Sequence, residues 1–153
     1  MTIAEERPRS IFGQIRLADM QGNEALTRTV LPLVKKALEH SDGRHTLDTI
    51  INGLASGRFQ LWGAMRPPDF LQAVAVAFVD PYPSGAKAFT IMLLGGPDMA
   101  EASAFFEFLP QLRGEARSAG CDRMVIVGRK GWERSLPNWK AVAMIYEQRL
   151  EPR

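Results

Sequence analysis

The sequence is poor in the side chains that build disulfides and metal sites. Its 153 residues include one cysteine, Cys121, and two histidines. One cysteine excludes an intramolecular disulfide framework and suits a reducing compartment. His40 and His45 flank a Ser-Asp-Gly turn, a poor spacing for a shared metal, and no cysteine or carboxylate cluster completes a site. The sequence therefore predicts no metal, and a buried rather than reactive thiol at Cys121.

Long hydrophobic runs are also absent. The longest, around Ala73–Val79, has the length of a strand and not of a membrane span. The first residues, MTIAEERPRS, lack the apolar core of a signal peptide. We therefore expect a soluble intracellular protein, or one packaged inside a particle, with no membrane partner.

Strong charge of one sign is lacking as well. The net charge is +2, with nine Lys/Arg against five Asp/Glu from Arg113 onward. This mild basic excess fits a phosphate-bearing ligand but makes nucleic acid an unlikely partner. No Gly-x-Ser-x-Gly or Walker-type Gly-Lys-Ser/Thr is present.

Two helices are predicted early in the chain. Asn23 can cap a helix through about His40, and Thr46 can cap a shorter one that Gly57 ends. Pro32 predicts a kink in the first helix or a later start. Residues 1–20 have weak periodicity and form an arm or an irregular first strand, while residues 21–153 form a single domain.

Three strands are predicted next: Arg58–Met65, Leu71–Val79 and Ala86–Leu94. The turns between them are short and rich in proline, so they predict an antiparallel meander. Leu71–Val79 is apolar on both faces, as expected of a central strand. Trp62 is predicted to lie in the core, whereas Trp132 and Trp139 are either core residues or an exposed aromatic patch.

A glycine turn follows the meander. Gly95-Gly96-Pro97 precedes Asp98, which can cap a helix that Pro110 should bend or interrupt; a parallel strand, Arg123–Val127, comes next. A strand that enters a helix through glycines exposes main-chain N–H groups suited to an anion such as a pyrophosphate. Trp139–Leu150 is apolar on both faces, and its β-type residues favour a strand over a helix.

This order of elements resembles the GNAT (N-acetyltransferase) superfamily. Three blocks more narrowly resemble divergent GNAT-like proteins of tailed phages and prophages: Phe59–Trp62, Leu94–Gly96, and Gly120–Asp122 with Gly128–Arg134. The resemblance implies an α+β fold with a mixed sheet, a three-strand antiparallel meander, splayed parallel strands and flanking helices. It places an acyl-CoA such as acetyl-CoA between Ala86–Leu94 and Arg123–Val127, in a protein of the bacterial cytoplasm or a virion.

The resemblance also implies a set of cofactor-binding residues. The main chain of the strand end would line the pantetheine, the glycines would face the pyrophosphate, and two basic residues would reach the phosphates from the other side: Ile91, Met92, Leu93, Leu94, Gly95, Gly96, Arg129 and Lys130. The turn departs from the Q/R-x-x-G-x-G/A pattern of the family, because Ile91–Gly96 lacks the leading polar residue and the first glycine.

Catalytic residues are not identified by the sequence. Asp98 and Glu101 have capping-box spacing, which makes a cap the better interpretation. Glu133 and Tyr146 are weak candidates, since the first favours a surface ion pair and the second a core position. The leading hypothesis is an acyl-CoA-dependent N-acyltransferase-like protein of phage type.

The alternative is a non-catalytic virion or assembly component of the same fold. It would contact virion proteins or a second copy through residues 1–20 and exposed aromatic residues.

Overall fold

The computed structural model describes residues 11–41, 43–66, 70–96, 107–127, 136 and 138–152. The elements follow one another along the chain as β1 (Ile11–Ile15), α1 (Leu17–Gln21), α2 (Glu24–Glu39), α3 (Leu47–Ala55), β2 (Phe59–Arg66), β3 (Phe70–Pro81), β4 (Lys87–Gly95), α4 (Leu109–Ser118) and β5 (Arg123–Ile126).

The five strands form one mixed sheet in the order β1-β2-β3-β4-β5. Neighbours from β1 to β4 are antiparallel, and β5 runs parallel to β4. A parallel neighbour requires a crossover, and α4 lies in the connection from β4 to β5. The predicted α+β class, with its meander and flanking helices, is confirmed.

The predicted caps of α2 and α3 are also confirmed. The Asn23 side chain accepts the N–H of Leu26 at 3.1 Å, and the Thr46 hydroxyl accepts the N–H of Thr49 at 3.3 Å. These bonds satisfy N–H groups that have no partner within a helix. Pro32 lies inside α2, which continues to Glu39 without a later start.

Helices α1 to α3 cover one face of the sheet. Apolar positions three and four residues apart on α2 point at the strands, because this spacing places them on one side of a helix. The buried side chains of this layer include Val30, Leu33, Val34, Ile50, Leu61, Val76 and Leu93.

The opposite face packs against α4. Trp62 is buried there, and its ring stacks on Phe12 with centroids 5.5 Å apart, so its predicted core position is confirmed. Other buried members of this layer are Ala75, Phe89, Ile91, Leu94, Leu109 and Leu112. Phe12 belongs to β1, which pairs with β2, so part of the segment 1–20 lies in the sheet; residues 1–10 are outside the described residues.

Helix α4 begins later than a continuous helix from Asp98 would require. Glu107 and Phe108 form a turn, and Pro110 occupies the first turn of α4. Proline is compatible with the first helical turn, where its missing N–H is not needed. Residues 97–106, with Asp98 and Glu101, lie outside the described residues, so the helix from Asp98 and its interruption at Pro110 stay predictions.

The strand favoured for Trp139–Leu150 is not formed. Residues 138–152 contain no helix or strand, and the side chains from 140 to 150 are exposed. Alternating apolar residues suit a strand, but a strand also needs a neighbouring edge, which periodicity does not supply. None of the described helices has the length and apolar character needed to cross a membrane.

Candidate functional site

The described pairing of the two parallel strands ends before the carboxyl end of β4. Their pairing runs from Ala88 opposite Arg123 to Ile91 opposite Ile126, and the Val127 N–H donates to the Ile91 carbonyl at 3.1 Å. β4 continues to Gly95, still paired with β3. From Met92 to Gly95 its other edge therefore has no β5 partner among the described residues. Residues 128–135, which follow Val127, lie outside them, so the splay stays a prediction.

A β-bulge marks the same point. Val76 faces Leu93 and Ala77 faces Ile91, so Met92 is an extra residue in β4. Met92 and Leu93 consequently contact the core under α2, while Leu94 returns to the α4 side. A bulge bends its strand and redirects the following side chains, and bulges are common beside functional sites.

The side chains at the carboxyl end of β4 pack in the two hydrophobic cores and are not available to a ligand. Ile91 and Leu94 are buried in one core and Leu93 in the other, whereas Met92 is half-buried. What β4 offers to a ligand is therefore its main chain. A strand edge presents alternating N–H and C=O groups, which pair with an extended amide-bearing molecule as they would with a strand.

The diglycine corner is shaped by α2. A Cβ atom built on Gly95 would collide with the Leu33 carbonyl oxygen and lie 3.1 Å from the Ala37 Cβ. Glycine is therefore needed here because the helix backbone comes so close. The neighbouring Gly96 is buried, and its carbonyl accepts a hydrogen bond from the Lys36 Nζ at 3.1 Å.

Lys36 is a functional candidate that the sequence interpretation missed. It is half-buried on α2, between Leu33 and Ala37, the two residues that approach Gly95. An ammonium carries three donors, so the bond to Gly96 leaves two others for an anion. Lys36 and Gly96 are 60 positions apart in the sequence, and the sequence does not show which strand α2 covers. Helical periodicity, which places Lys36 on the same side of α2 as Leu33 and Ala37, was the only signal that could have identified it.

Of the predicted site residues outside β4 and the diglycine corner, only Tyr146 is among the described residues. Arg129, Lys130 and Glu133 lie outside the described residues, as does Trp132. Tyr146 is 86% exposed, and its hydroxyl donates to the Met144 Sδ at 3.8 Å. Its role as a proton donor stays a prediction.

Cys121 and Asp122 precede β5, and main-chain hydrogen bonds hold them: the Cys121 N–H donates to the Ala116 carbonyl and the Asp122 N–H to the Lys87 carbonyl, both at 2.9 Å. Burial raises the pKa of the Cys121 thiol; the Lys87 ammonium opposes this effect and the Asp122 carboxylate adds to it. A raised pKa leaves little thiolate at neutral pH, so Cys121 is a poor nucleophile. The hydrogen bond from Arg123, at 2.7 Å, lowers the pKa of Asp122, which stays ionised.

The histidines do not come together. His40 ends α2, whereas the His45 Nδ1 lies 3.2 Å from the Thr49 hydroxyl, with its ring edge-on to Phe59. In the part of the chain that the structure describes, no three His, Cys, Asp or Glu side chains are grouped so as to hold a metal ion.

Solved structures share the fold of this protein over nearly the whole chain. A probable acetyltransferase matches with a TM-score of 0.65 at 13% identity, covering 94% of this chain and 98% of its own. A predicted acetyltransferase with acetyl-CoA from Clostridium acetobutylicum matches with a TM-score of 0.62 at 13% identity, covering 92% and 96%. A GNAT family acetyltransferase from Staphylococcus aureus matches with a TM-score of 0.59 at 8% identity, covering 92% and 98%.

The fold is the GNAT acetyltransferase fold. No protein-family model matches the sequence, and no curated protein matches it. The GNAT fold here therefore carries a sequence that has diverged far from these structures, and the fold by itself leaves the activity open.

Proposed function

We propose that this protein is an acyl-CoA-dependent N-acyltransferase that uses acetyl-CoA or another acyl-CoA. The observation that carries the proposal is that the described pairing of β4 with β5 ends at Ile91, whereas β4 continues to the Gly95-Gly96 corner. The GNAT fold of the chain supports it, as does the acetyl-CoA named with the Clostridium acetobutylicum structure.

The described residues fit such a cofactor. The unpaired edge of Met92–Gly95 suits the two amides of a pantetheine arm, which need main-chain partners in extended geometry. The Lys36 ammonium stands at the corner where a pyrophosphate would lie. Ile91 occupies the place where the family pattern has glutamine or arginine, so Lys36 supplies from α2 a positive charge that β4 lacks.

Positioning provides most of the proposed acceleration. When bound, acyl-CoA supplies a thioester carbonyl that is activated toward an amine. The β4 main chain orients that group, and N–H groups near Leu93 and Leu94 donate to the oxygen on which negative charge develops. The amine nitrogen would form the new C–N bond as the C–S bond breaks, and CoA would leave as a thiolate that takes up a proton. The amine would lose its proton to water or to Glu133, and Tyr146 stays the predicted proton donor to the thiolate.

Isothermal titration with acetyl-CoA tests the cofactor, and release of free CoA thiol in the presence of amines tests the transfer. We expect micromolar binding of acetyl-CoA and much weaker binding of S-acetylpantetheine, which lacks the phosphates. The amines should include peptides, lysine and aminoglycosides. Absence of binding at millimolar acetyl-CoA would refute the proposal.

The phage or prophage origin is a finer part of the same proposal. It rests on the likeness of the sequence blocks Phe59–Trp62, Leu94–Gly96, and Gly120–Asp122 with Gly128–Arg134 to phage-encoded proteins. The neighbouring genes test it: capsid and tail genes beside this one would support it, and housekeeping genes would contradict it.

A non-catalytic assembly role is the second candidate. The observation that favours it is the exposed apolar segment near the C-terminus, which suits protein contacts better than catalysis. Under this hypothesis the protein binds no acetyl-CoA and is found by mass spectrometry in purified particles, whereas the acyltransferase hypothesis requires binding and turnover.

A further inference from the structure

An apolar cavity lies beneath the three N-terminal helices, next to β2. Its volume is about 170 Å³, and residues of α1, α2, α3 and β2 line it. Met20, Val30, Ile50 and Leu61 are buried members of the lining, one from each of these elements. A protein cavity of roughly 150 Å³ lined by aliphatic side chains is large enough to bind benzene. The space can therefore hold one aromatic ring.

The chemistry of the lining limits what can enter this cavity. Two of the lining side chains are polar, Thr27 and Gln21. The Thr27 hydroxyl donates to the Met20 carbonyl at 2.6 Å, and Gln21 is exposed. Water needs two to four polar partners, so an apolar cavity holds it poorly. The part of a ligand that occupies this cavity must therefore be apolar.

A second cavity adjoins the first. Its volume is about 310 Å³, and Leu17, Leu54 and Leu61 line both cavities. It lies where β1 ends, because Ile15 pairs with Leu61 and the chain then turns into α1. One ligand can therefore reach from the second cavity into the first, past the leucines that they share.

Polar side chains give the second cavity a different character. Arg16 lines it together with the amide side chains of Gln14 and Gln60. The Gln60 oxygen accepts the Trp62 Nε1–H at 3.0 Å, which leaves the amide N–H groups of Gln60 to donate. The Asp19 carboxylate accepts the main-chain N–H of Arg16 at 3.1 Å and does not line the cavity. A guanidinium with amide donors beside it suits a carboxylate.

We propose that the two cavities together bind a small aryl carboxylate, with its ring in the apolar cavity and its carboxylate beside Arg16. Such a molecule joins an apolar group that fits the first cavity to an anion that the second cavity attracts. The site is built on α1, α3 and the amino-terminal half of β2, whereas the proposed acyl-CoA site is at the end of β4. The inference does not depend on the acyltransferase proposal.

Titration calorimetry with hydrocinnamate tests the site; this ligand is a phenyl ring and a carboxylate joined by two methylene groups. We expect a Kd on the order of 100 μM for a ligand of this size, with methyl NMR shifts at Ile50 and Leu61. Phenylpropylamine, which has the opposite charge, should bind at least tenfold more weakly, and propionate, which lacks the ring, should not bind. Saturating acetyl-CoA should leave the affinity for hydrocinnamate unchanged.

Leu31→Phe and Leu38→Phe form a matched pair on α2. Both leucines are half-buried against the same core, but only Leu31 lines the apolar cavity. Leu31→Phe should fill the cavity and weaken hydrocinnamate binding at least tenfold, whereas Leu38→Phe should change it less than twofold. Arg16→Gln removes the charge at an exposed position and should weaken hydrocinnamate binding about tenfold without weakening that of phenylpropylamine.

Three results would overturn the proposal. One is the absence of heat and of methyl shifts at millimolar hydrocinnamate. Another is binding that acetyl-CoA displaces, or that phenylpropylamine equals. The third is a Leu31→Phe protein or an Arg16→Gln protein that stays folded by circular dichroism and binds hydrocinnamate as tightly as the original.

Discussion

Among single residues, those at the diglycine corner after β4 combine a close approach to the α2 backbone with the proposed anion site. Gly95 is required by the approach of the α2 backbone, and Lys36 on the same helix donates to the Gly96 carbonyl. One helix face thus determines both the tight contact and the local charge. The two effects can be separated by substitution, because different atoms are responsible for them.

Replacement of Gly95 by alanine should destabilise the protein by about 2–4 kcal/mol, because the new methyl group meets the backbone of α2 and not a movable side chain. Urea unfolding measures the change. Gly114→Ala is the control: Gly114 lies in α4 with open space around it, so alanine there should stabilise by about 0.5–1 kcal/mol. Equal stability of the two variants would contradict the steric argument.

Lys36→Met should weaken acetyl-CoA binding about tenfold, the value of one charge-assisted hydrogen bond. Methionine keeps the apolar stem of the side chain, so the fold should be retained. Lys35→Met is the matched control, because Lys35 is adjacent, exposed and equally charged. Titration calorimetry gives both affinities, and an equal loss in the two variants would show that net charge alone matters. Binding of S-acetylpantetheine should be indifferent to either change.

Among the secondary-structure elements, α4 covers one face of the sheet, and no other helix of the described residues lies on that face. Leu112 is one of its fully buried side chains and belongs to the same core as Phe89 and Ile91 of β4. The connection to β5 is short, with the Cys121 N–H donating to the Ala116 carbonyl at 2.9 Å. The position of β5, and with it the point where the strands part, therefore depends on how α4 packs.

Leu112→Ala should cost about 2–5 kcal/mol of unfolding free energy, because it leaves a cavity between α4 and β4. Arg113→Ala changes the next residue, which is exposed, and should stay within about 0.5 kcal/mol of the original. Chemical denaturation compares them. A small effect at Leu112 would mean that α4 is held mainly by contacts elsewhere.

In the whole molecule, the five-stranded sheet has helices on both faces, and the end of β4 from Met92 to Gly95 has no β5 partner among the described residues. This strand edge is the proposed opening for a ligand. A ligand that binds this opening in the native state, and not in the unfolded chain, stabilises the entire domain by mass action. Binding is therefore measurable without knowledge of the acceptor amine.

Acetyl-CoA at 100 times its Kd should raise the unfolding free energy by about 2.7 kcal/mol, and the Tm by roughly 5–10 °C. Differential scanning calorimetry measures this shift. ATP at the same concentration is the control, since it carries phosphates but no pantetheine arm. A shift of the same size with ATP would indicate an unspecific anion site, and no shift with either would leave the opening without a cofactor.

The sequence by itself determined most of the scaffold. The caps at Asn23 and Thr46, the meander and the core position of Trp62 all follow from local pattern, because side chains within a few residues of one another create those signals. The glycine corner was also apparent, although its physical cause was not. The fold class came from the resemblance of the order of elements to the GNAT superfamily.

Only the tertiary structure decided the details of the site. The bulge at Met92 depends on the register between two strands, and the approach of Lys36 to Gly96 joins residues that are distant in sequence. The alternating apolar residues after Trp139 predicted a strand, but the sheet of this chain does not include that segment. The periodicity of apolar residues indicates which face of a helix or strand can be buried. Long-range packing determines which other element covers that face.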